Sequence, residues 1–118
     1  VEPVLVYHNP VCSNSRGALE TLAERGIEPE VVQYLKAPPD RAALERIVAA
    51  IGDPPADLVR KDKRFGELGL DAGDYVTGAA VVDLLLEHPE LMQRPVVFVG
   101  DRAVIARPPA RVLDLLGA

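Results

Sequence analysis

The chain holds one cysteine, Cys12. It stands in the polar stretch Tyr7-His8-Asn9-Pro10-Val11-Cys12-Ser13-Asn14-Ser15-Arg16. An apolar run, Val4-Leu5-Val6, precedes this stretch, and a helical pattern through Ala18-Leu19 and Leu22-Ala23 follows it. The spacing predicts strand, turn and helix, with the cysteine just ahead of the first free backbone N–H groups of that helix. Partial positive charge at a helix start favours thiolate over thiol, bringing cysteine pKa values to roughly 3.5–7.5 from about 8.5. Free cysteines are more often buried as small apolar residues, but Asn9, Pro10, Ser13, Asn14 and Ser15 make a polar turn, not a core. Cys12 therefore reads as a nucleophile. Cys12-Ser13-Asn14-Ser15 lacks the second thiol of a C-x-x-C pair, so an adduct on Cys12 needs a thiol from another molecule to resolve it.

The neighbours of Cys12 suit an anion. Successive N–H groups from Ser13 to Arg16 can cradle an oxyanion, and the Ser13, Asn14 and Ser15 side chains either join it or cap the helix. His8 either supports the thiolate, if the turn folds it back, or is a structural hydrogen-bonding histidine. Arg16 sits in the first helical turn, where positive charge opposes the helix dipole, a placement that hints at function. Arg94 precedes Pro95, Arg107 precedes Pro108-Pro109, and Arg60 lies in a basic island with Lys61, Lys63 and Arg64. Guanidinium groups stay charged and donate paired hydrogen bonds, which suits tetrahedral oxyanions. Two distant histidines and one cysteine make no metal site, and no Gly-rich phosphate loop is present. His88, followed by Pro89, reads as a helix terminator at the surface.

The elements that must position these residues follow from periodicity and breakers. Strands are predicted at Val4 to Tyr7, Glu30 to Leu35, Val96 to Val99 and Arg102 to Ala106. Gly100-Asp101 makes a hairpin between the last two. Helices are predicted from about Ser15 to Arg25, capped by Ser13 or Asn14 and ended by Gly26, and from Asp40 to Gly52. Short polar helical pieces follow from Ala56 to Leu70. A further helix runs from Thr77 to Glu87 with Val81, Val82 and Leu84 to Leu86 deeply buried, and a last one is opened by Pro108-Pro109. The order is β-α-β-α, a helical insert at about 54–92, then β-β-α. It implies one α/β domain over residues 1–118, with a mixed four-stranded sheet between helices on both faces. That is the order of the thioredoxin-like fold, in which a proline before the third strand, here Pro95, is cis and faces the cysteine loop. The isomer itself stays open at this level.

Composition narrows the function classes. The 118 residues, 48% hydrophobic and 26% charged, are ordinary for one globular domain. A net charge of −5 disfavours a general nucleic-acid binder. No apolar run approaches the ~20 residues of a membrane span, and no leader for export is apparent. A reduced, cytoplasmic setting is expected.

The motifs together resemble the glutathione- and glutaredoxin-coupled arsenate reductases, the ArsC family, and most closely its short ArsC-like members. The likeness runs from Tyr7-His8-Asn9-Pro10 with Cys12 and Ser15-Arg16 through Tyr34-Leu35, Leu58 to Lys61 and Leu68-Gly69-Leu70. It continues through His88-Pro89 to Arg94-Pro95 and ends at Arg107-Pro108-Pro109. Ser13-Asn14 stand where that family often has a glycine. The resemblance implies a catalytic Cys12, an arginine triad of Arg60, Arg94 and Arg107, and a supporting His8. It implies that the thiolate attacks arsenate, that glutathione attacks the arsenylated cysteine, and that glutaredoxin removes the glutathione as arsenite is released, in arsenic detoxification. No bound cofactor is expected, glutathione being a co-substrate. The alternatives are a glutathione-linked thiol oxidoreductase with another substrate, and a redox regulator of the Spx type that binds RNA polymerase.

Overall fold

A computed structural model describes residues 2–116. Strands β1 (Val4–His8), β2 (Glu30–Gln33), β3 (Val96–Val99) and β4 (Arg102–Ile105) form one sheet in the order β2-β1-β3-β4. Helix α1 (Ser13–Glu24) joins β1 to β2, which run parallel, whereas β3 is antiparallel to both β1 and β4. Between β2 and β3 lie α2 (Arg41–Ala50), α3 (Lys63–Glu67) and α4 (Gly78–Glu87), with 3-10 turns at Pro55–Leu58, Ala72–Asp74 and Pro89–Leu91. A 3-10 helix, Pro109–Leu115, follows β4.

Alternation along the strands divides the core in two. Tyr7, Val96, Phe98, Ala103 and Ile105 pack with Leu44 and Ile47 of α2 and Val81 and Leu85 of α4. Val6, Val97, Val99 and Val104 pack on the other face with Ala18 and Leu22 of α1 and Val112 and Leu115 of the terminal helix. A mixed sheet with helices on both faces is the thioredoxin-like fold that the element order predicts. Asp40 and Thr77 cap α2 and α4, their side-chain oxygens accepting from Ala43 N at 2.9 Å and Ala80 N at 3.2 Å. Gly26 follows α1 with φ +72°, a left-handed conformation that glycine adopts without steric cost. No helix among the described residues is long and apolar enough to cross a membrane.

Several element bounds, and the type of the last helix, differ from the sequence reading. α1 begins at Ser13 with Cys12 as its N-cap, so neither Ser13 nor Asn14 caps it. β2 stops at Gln33, because Gln33 C=O accepts from Lys36 N and Ala37 N and turns the chain out of the sheet. β4 ends at Ile105, although Ala106 N still donates to Pro95 C=O at 3.0 Å. The last helix is 3-10, not α. Residues i and i+3 eclipse in that geometry, which stacks Val112 over Leu115 on the buried side. Its first residue, Pro109, lies so close to α1 that a Cβ on Gly17 would come within 2.8 Å of the Pro109 ring. Leu86, expected in the core, reaches the surface while Val81, Val82, Leu84 and Leu85 are buried. Both Arg94-Pro95 and Arg107-Pro108 are cis; the second was not expected.

Candidate active site

The loop between β1 and α1 is tied to itself before it reaches the cysteine. Asn9 Oδ1 accepts from Val11 N at 3.1 Å, Asn9 C=O accepts from Cys12 N at 3.0 Å, and Asn9 N donates to Ser15 Oγ at 3.3 Å. Cys12 C=O then accepts from Arg16 N, the first bond of α1. This leaves Cys12 buried at the helix start, 9% exposed, with its side chain capping nothing. Burial pushes the thiol pKa up, but the Ser15 N–H, the Arg94 guanidinium, the Ser15 hydroxyl and the Asn14 N–H favour the thiolate more. The net effect lowers Cys12 to about 7. Ser15, fully buried, thus accepts from Asn9 and turns its own proton toward sulfur. Ser13 is exposed and its side chain makes no hydrogen bond.

Strand register delivers two arginines to the same spot. Tyr7 pairs with Val96 and Val96 with Ile105. Two residues beyond those pairs, past the strand ends, stand Asn9, Arg94 and Arg107, at one end of the sheet. Arg107 Nη1 lies 3.8 Å from Cys12 Sγ and donates to Arg94 C=O at 2.9 Å. The Asn14 carboxamide, oriented to satisfy both its ends, places its oxygen 3.2 Å from Nη1 and Nη2 of Arg107. Asn14 is therefore a holder of Arg107 as well as a backbone donor. Pro95, next to Arg94, is cis.

Arg60 is placed differently. Its segment pairs with the run leading into Arg94: Arg60 N donates to Leu91 C=O at 2.8 Å, and Gln93 N to Leu58 C=O at 2.7 Å. Its guanidinium turns instead to Asp62, 3.4 Å away, and makes no hydrogen bond to Cys12. Arg16 donates to Pro10 C=O at 3.0 Å, pinning the loop from the helix side. His8 is buried with Nδ1 unpartnered, and burial together with the Arg16 charge lowers its pKa below the ordinary histidine value. Both effects favour the neutral imidazole. His88 ends α4 as expected, with Nδ1 3.3 Å from Glu90 Oε2.

Two features escaped the sequence. Tyr34 is fully buried, with its hydroxyl facing Arg94 and Asn9, and Asp62 occupies Arg60. The second had a visible signal, an acid two residues from the arginine; the first had its position near the end of a predicted strand and its place in the Tyr34-Leu35 match, neither of which assigns the hydroxyl a role. A polar cleft of about 390 Å³ starts at Arg107 and runs past Gln93 to Asp53, Asp57, Lys61 and Arg111. A larger hollow, about 480 Å³, lies among Val4, Ile27 and Val99 with no nucleophile on its walls. Among the described residues no group of histidine, cysteine or carboxylate side chains fits a metal ion.

Known proteins share this framework. Residues 7–115 match the model of the ArsC family. An arsenate reductase of Rhizobium meliloti is 44% identical over 115 residues, 96% of this chain and 81% of that protein. The uncharacterized protein YfgD of Escherichia coli is 41% identical over 116 residues, 97% of both chains. A solved arsenate reductase structure from Vibrio cholerae superposes with a TM-score of 0.85 at 35% identity, covering 97% of this chain and 98% of that one. With a family match from the first strand to the terminal helix and relatives of this likeness over nearly the whole length, the chain belongs to the ArsC family.

Proposed function

We propose that this protein is an arsenate reductase in which Cys12 is the nucleophile and Arg94, Arg107 and Arg60 bind the oxyanion. The observation that carries this reading is a thiol held near pKa 7 with a guanidinium 3.8 Å from its sulfur. A thiolate accessible near neutral pH beside a guanidinium suits attack on a tetrahedral anion. The names of the relatives in Rhizobium meliloti and Vibrio cholerae support the choice of arsenate. The thiolate bonds to arsenic and one arsenate oxygen leaves as water. Glutathione then attacks the arsenylated cysteine. Arsenic takes two electrons from the two sulfurs, which end as a mixed disulfide, and arsenite departs. Glutaredoxin removes the glutathione and restores the thiol. Cys12 is the only cysteine, so both reducing thiols come from outside, from a reducing, cytoplasmic pool.

Arsenate-dependent oxidation of glutathione in the presence of glutaredoxin is expected, and Cys12→Ser abolishes it. Absence of turnover, with a known reductase active in the same assay, would remove arsenate as the substrate. Protection of Cys12 from alkylation by arsenate, phosphate and sulfate in parallel then finds the preferred oxyanion of a related thiol oxidoreductase. A regulator of the Spx type requires a second thiol where Ser15 stands, and pull-down of RNA polymerase tests it directly.

A further inference from the structure

Tyr34 has no part in the chemistry above. It is fully buried in the core facing α2 and α4. Burying a hydroxyl without a partner is unfavourable, and phenylalanine would fill the same space without that penalty. The hydroxyl sits at a particular place. His8 pairs with Gln33, so the next residues of the two strands, Asn9 and Tyr34, come side by side. Asn9 is flanked on its other side by Arg94 through the β1–β3 register.

The Tyr34 hydroxyl faces the Arg94 guanidinium and the Asn9 side chain but completes a hydrogen bond with neither. The Arg94 Nε–H is likewise buried and unpartnered. The two orphans are complementary, because arginine only donates and a hydroxyl accepts as well as donates. Burial keeps the Tyr34 pKa above its ordinary value, so the group is a neutral hydroxyl wherever the thiolate is used. We propose that Tyr34 is a positioning residue whose hydroxyl is the support against which the Arg94 guanidinium is set toward Cys12. The ring fixes the hydroxyl through packing, the hydroxyl faces the Arg94 guanidinium, and Arg94 favours the thiolate. The charges around Cys12 are Arg94 and Arg107 from the strand ends and Arg16 beyond His8; Arg94 is the one facing Tyr34. This rests on Cys12 being a reactive thiolate, and not on arsenate being its substrate.

Tyr34→Phe keeps the ring and removes the hydroxyl. Alkylation of Cys12 by iodoacetamide across pH 5–10 reads the thiol without any arsenate. In Tyr34→Phe the midpoint moves upward from about 7, and the rate at pH 7 falls about two- to fivefold. Arg94→Ala moves the midpoint further, and adding Tyr34→Phe to it changes nothing more. Tyr34→Leu lowers the melting temperature through lost packing and shifts the midpoint as Tyr34→Phe does. The proposal is overturned if the Tyr34→Phe profile overlays that of the parent, or if its shift persists undiminished beside Arg94→Ala. A purely structural role would move melting alone. Failure of arsenate turnover leaves these profiles unaffected, so the two readings fail separately.

Discussion

Two regions carry the three arginines of the proposed clamp, and they hold them by different means. At the sheet edge, Arg94 and Arg107 are set by strand register and locked to one another, Arg107 Nη1 bonding Arg94 C=O while it stands 3.8 Å from sulfur. In the segment before α3, the backbone of Arg60 is pinned to the chain that leads into Arg94, but its guanidinium is engaged by Asp62. The first pair is organised before any ligand arrives. Under the proposed reaction the third must exchange a carboxylate for an anion. Preorganised donors cost nothing at the moment of reaction, whereas a donor taken from a partner loses that partnership.

Removing the organised side is expected to cost most. Arg94→Ala lowers kcat by about 10²–10³, measured as glutathione oxidation at saturating arsenate; a loss below threefold would mean the sheet edge does not hold the reacting anion. The same thiolate is expected to show in stability. The Cys12 pKa is depressed from 9.0 to about 7, so the folded form binds fewer protons than the unfolded one between those values. Stability from this source is fully present above pH 9 and is lost as pH falls through 7, a swing of up to about 2–3 kcal/mol. Denaturant unfolding of the parent and of Cys12→Ser at both pH values isolates it; equal pH slopes in the two proteins would show that the thiolate is not stabilised by the fold. Under the proposed reaction, Arg107→Ala is expected to lose roughly 10- to 100-fold in kcat/KM, mainly through KM, because this exposed arginine would reach the anion from the rim. Smallest is Asp62→Asn, which keeps a capping oxygen for Phe65 N and frees Arg60. The KM for arsenate falls up to about fivefold. An unchanged KM in Asp62→Asn, together with an unchanged one in Arg60→Ala, would confine the clamp to the sheet edge.

The sequence and the structure agree most closely where one residue type has one physical use. Asp40 and Thr77 are capping residues, Gly26 takes the left-handed conformation after α1, and both are visible without coordinates. The position of Cys12 was legible because strand, turn and helix patterns flank it. Its role as the cap itself was not, since the polar residues after it look like better caps until Ser15 is seen bonded to Asn9 and Asn14 to Arg107. The Arg94 and Arg107 pairing depends on β3–β4 register, which the hairpin at Gly100-Asp101 nearly determines. Tyr34 falls within the family likeness, but the role of its hydroxyl resists any such reading. In a strand pattern it is one more large residue, and only the ends of three strands meeting at Asn9 give its hydroxyl a meaning.

Ser15 carries a last consequence. It sits where a paired thiol would close the cycle within the protein, and it is sealed and hydrogen-bonded. Under the proposed reaction, an adduct on Cys12 has no internal exit, and its lifetime is set by how often an outside thiol arrives. An internal thiol would act at a fixed effective concentration, independent of the surroundings. With serine in its place, the proposed cycle would rise and fall with the supply of external thiol, so its rate would follow the reducing state of its surroundings.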